Sequence, residues 1–194
     1  MAKRTKITKS NTATPRDTSS LDLTRLTRTV YFLLVVFAVS IMIFDSGNLI
    51  TRDAVVERWT IFSALLVINT AIWVSASQTS QVGFRSLATY ISALSVLGFA
   101  GLMTYAERGM ASTSTLLYAL PLLIVATLKS RHSLIATAAL SAGTYAFASV
   151  KYFNDFFNEG YRIQLWGSLV FYTGIIFTAA WLLMIVAGLR EDSR

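Results

Sequence analysis

Residues 31–44 read YFLLVVFAVSIMIF. No position in this stretch is charged, and apolar side chains fall on every face that a helix would present. A half-buried strand would alternate apolar and polar residues, and this run does not. Taken from Thr29 to Asn48 it is long enough to cross the hydrocarbon of a bilayer, which needs about 20 apolar residues for about 30 Å. Only helices and closed barrels span lipid, and a continuous apolar run excludes barrel strands.

Five further runs repeat the pattern: roughly Val56–Ser77, Leu87–Tyr105, Ser112–Leu128, Ser133–Val150 and Ile163–Leu189. Pro121 lies inside the fourth. The connection KSRHS (129–133) between the fourth and fifth is so short that these two must form a helical hairpin. The composition agrees. Of 194 residues 54% are hydrophobic and 14% charged, where a soluble domain carries about a quarter charged residues; the mean hydropathy is +0.57. The expected fold is an all-α integral membrane protein, an antiparallel bundle of six transmembrane helices with short loops.

Sorting the connections by parity separates the charges. One side receives Lys3, Arg4, Lys6, Lys9, Arg16, Arg25, Arg28, Arg85, Lys129, Arg131, Arg190 and Arg194, twelve of the 17 basic residues. The other holds Arg52, Arg58, Arg108, Lys151 and Arg162, together with the acids Asp45, Asp53, Glu57, Glu107, Asp155 and Glu159. Basic residues stay on the cytoplasmic side, so both termini are expected inside, in a bacterial-type plasma membrane. The long basic lead of the first run, with no small-x-small site after it, reads as a retained anchor rather than a cleaved signal.

Residues 1–20, MAKRTKITKSNTATPRDTSS, bury too little apolar surface to order and are expected to form a disordered basic cytoplasmic tail. The tail either attaches to anionic lipid headgroups or only sets orientation. It has no aromatic residues on which bases could stack, so nucleic acid is not an expected partner. Residues 21–189 form the membrane domain, with Ser20 able to cap a short interfacial helix over LDLTRLTR, and residues 190–194 form a short cytoplasmic tail.

No charge falls near the middle of any run, which argues against proton relays and ion-coupled pumps. The polar residues inside the runs are neutral. Asn69, Tyr90, Ser141, Tyr145 and Tyr172 are the candidates for lining a ligand pocket, although an amide such as Asn69 more often bonds a neighbouring helix. Ala138, Ala142 and Ala146 make one small-residue ladder, Ala139 and Gly143 a second, and Ser95, Gly98 and Gly101 a third; each lets backbones approach closely. In the connection KYFNDFFNEGYR (151–162), Phe153, Phe156 and Phe157 share a helical face, and Asp155 and Glu159 lie one turn apart. That connection reads as a lid over an outward pocket, with the two acids able to hold a cation, or as an aromatic anchor at the headgroups.

Catalytic patterns are absent from the sequence. There is no G-x-S-x-G elbow, no phosphate-cradling glycine loop and no H-E-x-x-H. With no cysteine there are no disulfides or thiolate sites, and the one histidine, His132, cannot build a multi-histidine metal site. The chain is therefore expected to be non-enzymatic and to need no cofactor. Its layout, six close spans ending in the charged stretch LREDSR (189–194), resembles the membrane regions of bacterial sensor kinases and adenylate cyclases. That resemblance implies a sensing, signal-transducing or scaffolding module whose output is a separate protein. The length and span number are also similar to the solute-binding subunits of vitamin uptake transporters, which implies a solute carrier as the alternative. Besides the lipid bilayer, a partner membrane protein or a second copy is expected.

Overall fold

The computed structural model describes residues 18–47, 49–78, 82–156 and 162–187; for 18–24, 76–78 and 82 it describes the backbone path only. Among the described residues every regular element is helical and none is a strand. Helices α1 (Thr18–Ser46), α2 (Arg52–Gln78) and α3 (Val82–Ala106) are followed by two 3₁₀ segments, Gly109–Ala111 and Thr113–Tyr118. Then come α4 (Ala119–Ala126), α5 (Arg131–Asp155) and α6 (Arg162–Val186). Five of these, α1, α2, α3, α5 and α6, are long and apolar enough to cross a membrane.

The long helices overrun the apolar stretches because their polar flanks still favour helix. The Thr51 hydroxyl accepts from the Ala54 amide, and Asp53 lies in the first turn of α2, where the helix dipole favours a negative charge. Ser130 caps α5 in the same way, accepting from the Ser133 amide. At the other end of the chain's first helix, α1 is continuous from Thr18, so Thr18–Ser20 are its first turn rather than the end of a tail, and LDLTRLTR is not a separate interfacial helix. The rest of the basic tail, residues 1–17, and residues 188–194 lie outside the described residues.

The fourth run departs from expectation. It is not one long α-helix but 3₁₀ turns leading into α4, eight residues long. Two features break it. Pro121 has no amide hydrogen and is tolerated only in the first turn of a helix, which places the start of α4 at Ala119. Before it, hydroxyls compete for the backbone: Ser112 accepts from the Ser114 amide, and Ser112, Thr113 and Ser114 all donate to one oxygen of Glu107, at 3.1, 3.4 and 2.5 Å. The segment Thr113–Ala126 spans about 24 Å at helical rises, less than the five long helices. Irregular backbone of this kind is tolerated when protein surrounds it; Tyr118, Leu122 and Val125 are fully buried.

Helix α3 is the most buried long helix and α6 the least. On one side of α3, Val30, Leu34, Phe37 and Ile41 of α1 pack with Val55 and Leu65 of α2 against Phe99 and Met103; the Phe37 and Phe99 rings meet edge to face at 4.8 Å. On the other, α4, α5 and α6 close around Leu97 and Ala100. The Ala138–Ala142–Ala146 ladder packs into this second core, whereas Ala139 and Gly143 face outward. Outside, apolar side chains are uncovered along the bundle, from Phe32 on α1 to Ile163 and Val186 on α6, which are 90% and 83% exposed.

Helices α3 and α5 approach closely at Gly101, where an added Cβ would sit 2.7 Å from Thr144 Cγ2. Gly98, one turn earlier, has open space in that direction. Gly101→Ala is expected to lower stability by about 1–3 kcal/mol, the cost of overpacking. Gly98→Ala should leave stability unchanged or raise it slightly, since alanine is the better helix former. Thermal unfolding in detergent compares the two; equal midpoints would remove the close contact from the account.

Candidate functional site

Helix α5 carries a polar stripe on its buried face: Ser141, Tyr145 and Ser149 at i, i+4 and i+8, each at most 1% exposed. Neighbouring threonines on α5 turn their hydroxyls back onto their own helix, Thr137 to the Ser133 carbonyl and Thr144 to the Leu140 carbonyl, both at 2.8 Å. The hydroxyls of Ser141, Tyr145 and Ser149 have no hydrogen-bond partner. Tyr145 lies alongside Ser149, short of bonding geometry. A buried hydroxyl left unpaired costs about 1–3 kcal/mol, so three on one face is a feature that packing alone does not favour.

The surroundings come from three other elements. The Tyr145 ring is held between Tyr118, at 5.8 Å between centroids, and Tyr172 of α6, at 5.3 Å, both edge to face. Tyr118 donates to Thr104 Oγ1 of α3 at 3.2 Å. The seam therefore joins α3, the 3₁₀ turn, α5 and α6 through neutral hydroxyls and aromatic faces. Such a set can orient a neutral polar group, or exchange hydrogen bonds if one helix shifts.

Of the five candidate lining residues, Ser141, Tyr145 and Tyr172 belong to this seam. The other two lie elsewhere. Asn69 is buried between α1 and α2, where its amide nitrogen donates to the Thr27 carbonyl at 3.2 Å; its carbonyl oxygen has no partner. Nearby, Tyr31 and Thr70 bond at 2.8 Å; because Thr70 already donates to the Leu66 carbonyl, Tyr31 is the donor. Tyr90 pairs with Ser133 across α3 and α5. Tyr118, Thr104 and Ser149 complete the seam without having been singled out in the sequence. Ser149 was legible as the next step of the four-residue spacing; Tyr118 and Thr104 carry no local signal that separates them from other polar residues in apolar runs.

At the end of the bundle where α3 and α5 finish, one oxygen of Asp155 accepts from Tyr105 at 2.7 Å and from Lys151 at 2.9 Å. This carboxylate ties α5 to α3 and its own preceding turn. Phe153 packs against the core, while Phe156 is exposed and stacks on Tyr152 at 4.5 Å. Phe153 and Phe156 thus do not present one common face: α5 continues to Asp155, and Phe156 has left the helix. Phe157 and Glu159 lie outside the described residues. Among the described residues no cluster of three or more metal-ligating side chains occurs. Comparison with protein-family models, curated proteins and solved structures gives no match to this chain.

Tyr145→Phe is expected to raise stability by about 1 kcal/mol, because it removes an unpaired buried hydroxyl at nearly constant shape. Tyr118→Phe should lower it by about 0.5–1.5 kcal/mol through the lost bond to Thr104. Denaturant titration of the purified protein in detergent gives both signs; a loss on Tyr145→Phe would mean that the hydroxyl is bonded in solution.

Proposed function

We propose that this chain is a multi-pass protein of the plasma membrane, with both termini in the cytoplasm, that serves as a sensing, signal-transducing or scaffolding module and performs no catalysis. Lipid as the surrounding solvent is supported by the uncovered apolar side chains around the bundle, because water-soluble monomers rarely expose patches beyond a few hundred Å². The inside placement of the termini rests on the basic residues, twelve of 17 at one end. With the short segment Thr113–Ala126 counted as a crossing, the number of passes is six.

The observation that carries the sensing reading is the sealed seam. Unpaired hydroxyls at Ser141, Tyr145 and Ser149, closed to solvent, leave the bundle with hydrogen bonds still to be made. A small shift of α5 against α3 and α6 would make some of them and break others, such as Tyr118 to Thr104. Two packings of similar energy are what a signal needs in order to bias a population. A second reading, a small solute carrier or transporter subunit, draws on the same residues: Ser141, Tyr145 and Tyr172 come together and offer hydrogen bonds to a polar solute.

The chain has no cysteine, so single cysteines at Ser10 and Ser193 report topology without further changes. Both are expected to resist a membrane-impermeant maleimide in intact cells and to react after permeabilisation. Affinity isolation from membranes is expected to bring down a stoichiometric membrane or cytoplasmic partner whose recovery changes in Tyr145→Phe. Solute uptake that Ser141→Ala or Tyr145→Phe abolishes, with no partner recovered, would replace the first reading with the second.

A further inference from the structure

The four tryptophans of the chain fall as two pairs, Trp59 with Trp73 on α2 and Trp166 with Trp181 on α6. Trp73, Trp166 and Trp181 are exposed and Trp59 is half-buried. Tyr90 and Tyr105 make a third pair, on α3. At helical rise the members of each pair are about 21–22 Å apart along their helix, and no charged residue lies between them. The end of α2 packs on the start of α3 through Ile72 and Ala88, Tyr105 bonds Asp155 at the end of α5, and α6 follows α5 after a short connection. Trp59, Tyr105 and Trp166 therefore lie toward one end of the bundle, and Trp73, Tyr90 and Trp181 toward the other. Two levels of exposed or half-buried tryptophan, with uncharged chain between them, are the pattern that the two faces of a bilayer select.

Two further bounds give nearly the same length. Arg58, next to Trp59, lies over the Phe44 ring at 5.5 Å, which brings Asp45 of α1 to the level of Trp59. Back from Asp45 to Arg28 the charge-free stretch of α1, residues 29–44, is about 24 Å long. The side chain of Asp45 is too short to reach the headgroups from within hydrocarbon, as a lysine or arginine does. The segment Thr113–Ala126, with Glu107 and its three hydroxyls before it and Lys129 after it, also covers about 24 Å. The longer uncharged runs of α3, α5 and α6 do not relax these bounds, because all the helices cross one slab and the closest-spaced bounds limit it. Ordinary hydrocarbon is about 30 Å thick. Tilting relieves a stretch that is too long, not one that is too short, since it shortens the projected length further; the bilayer itself has to thin.

We propose that the lipid-facing belt of this bundle is matched to a thin hydrocarbon layer, about 21–24 Å, so that the protein gathers short-chain phospholipids around itself and thins a bilayer of ordinary thickness. The inference rests on the bilayer reading above and names the lipid that fits it. It concerns the outer surface and is independent of the hydroxyl seam.

Reconstitution of the full chain into phosphatidylcholine vesicles tests the match. Brominated dioleoyl phosphatidylcholine quenches tryptophan, and each of dimyristoleoyl, dioleoyl and dierucoyl phosphatidylcholine in turn competes with it, giving the relative affinity for short, ordinary and long chains. The wild type is expected to favour dimyristoleoyl over dioleoyl lipid about threefold, a modest ratio because the cost of mismatch is shared among the surrounding lipids, and to bind dierucoyl lipid least. Asp45→Leu combined with Arg58→Leu lengthens the charge-free stretches of α1 and α2 and should bring the ratio close to one. Helical circular dichroism identifies a variant that has misfolded. A measurement on the wild type alone remains decisive in that case: in dimyristoleoyl vesicles a nitroxide near the glycerol should quench tryptophan more strongly than one at the chain end. A preference that peaks at dioleoyl or dierucoyl lipid, a ratio unmoved in the folded double variant, or stronger quenching from the chain end overturns the match. A chain that fails to float with vesicles in a density gradient defeats the bilayer reading first; a chain that floats but shows no chain-length preference defeats only this inference.

Discussion

Helices that are apolar on every side gain little by hiding apolar surface from one another when the medium around them is equally apolar. In the bilayer reading proposed here, association must then come from close backbone approach and from hydrogen bonds between helices. Both are concentrated on α3. It meets α5 at Gly101, receives the Tyr118 hydroxyl at Thr104, reaches Ser133 through Tyr90 and holds Asp155 through Tyr105. The remaining helices arrange themselves around it as two groups, α1 with α2 on one side and α4 with α5 and α6 on the other.

The two groups differ in how their polar groups are settled. Between α1 and α2 the pairs are direct, Asn69 to Thr27 and Tyr31 to Thr70, with only the Asn69 carbonyl oxygen left over among the described residues, and they restrain the rotation of one helix against the other. In the second group the stripe Ser141, Tyr145 and Ser149 lacks such partners, and the aromatic contacts of Tyr145 with Tyr118 and Tyr172 are less directional than a hydrogen bond. The physical expectation is a stiff half and an adjustable half sharing one central helix. The short, partly 3₁₀ segment belongs to the adjustable half, and its length leaves it dependent on the helices around it rather than on its own hydrogen-bonded turns.

The ends of the bundle are also unlike. At one, Glu107 gathers three hydroxyls and Asp155 joins Tyr105 and Lys151, so these two carboxylates are engaged within the protein. Consecutive left-handed residues, Arg108 and Gly109, turn the chain there, and a Cβ added at Gly109 would sit 3.0 Å from Tyr152 Cβ. The other end carries Arg85 in the first turn of α3 and Lys129 and Arg131 at the turn into α5.

Length, helical class and approximate helix ends could be read from the residues alone, because each depends on local runs: about 20 apolar positions, then charge, then turn. The i, i+4 partnership of Lys151 with Asp155 is equally local, yet the sequence reading set Asp155 with Glu159 instead. The break at Thr113–Ala126 was partly readable from Pro121, but not the pull of Glu107 on the three hydroxyls beyond it, which needs the folded turn. Which polar residues meet was not readable at all. Asn69, Tyr90 and Tyr145 look alike in sequence, as isolated polar positions in apolar runs, yet one bonds α1, one bonds Ser133 and one remains unpaired in the seam. A helix that is apolar all round carries no stripe to say which face turns inward. Its rotation is decided by its neighbours, by small residues that admit close approach and by polar groups that must find each other, and only the tertiary structure brings those together.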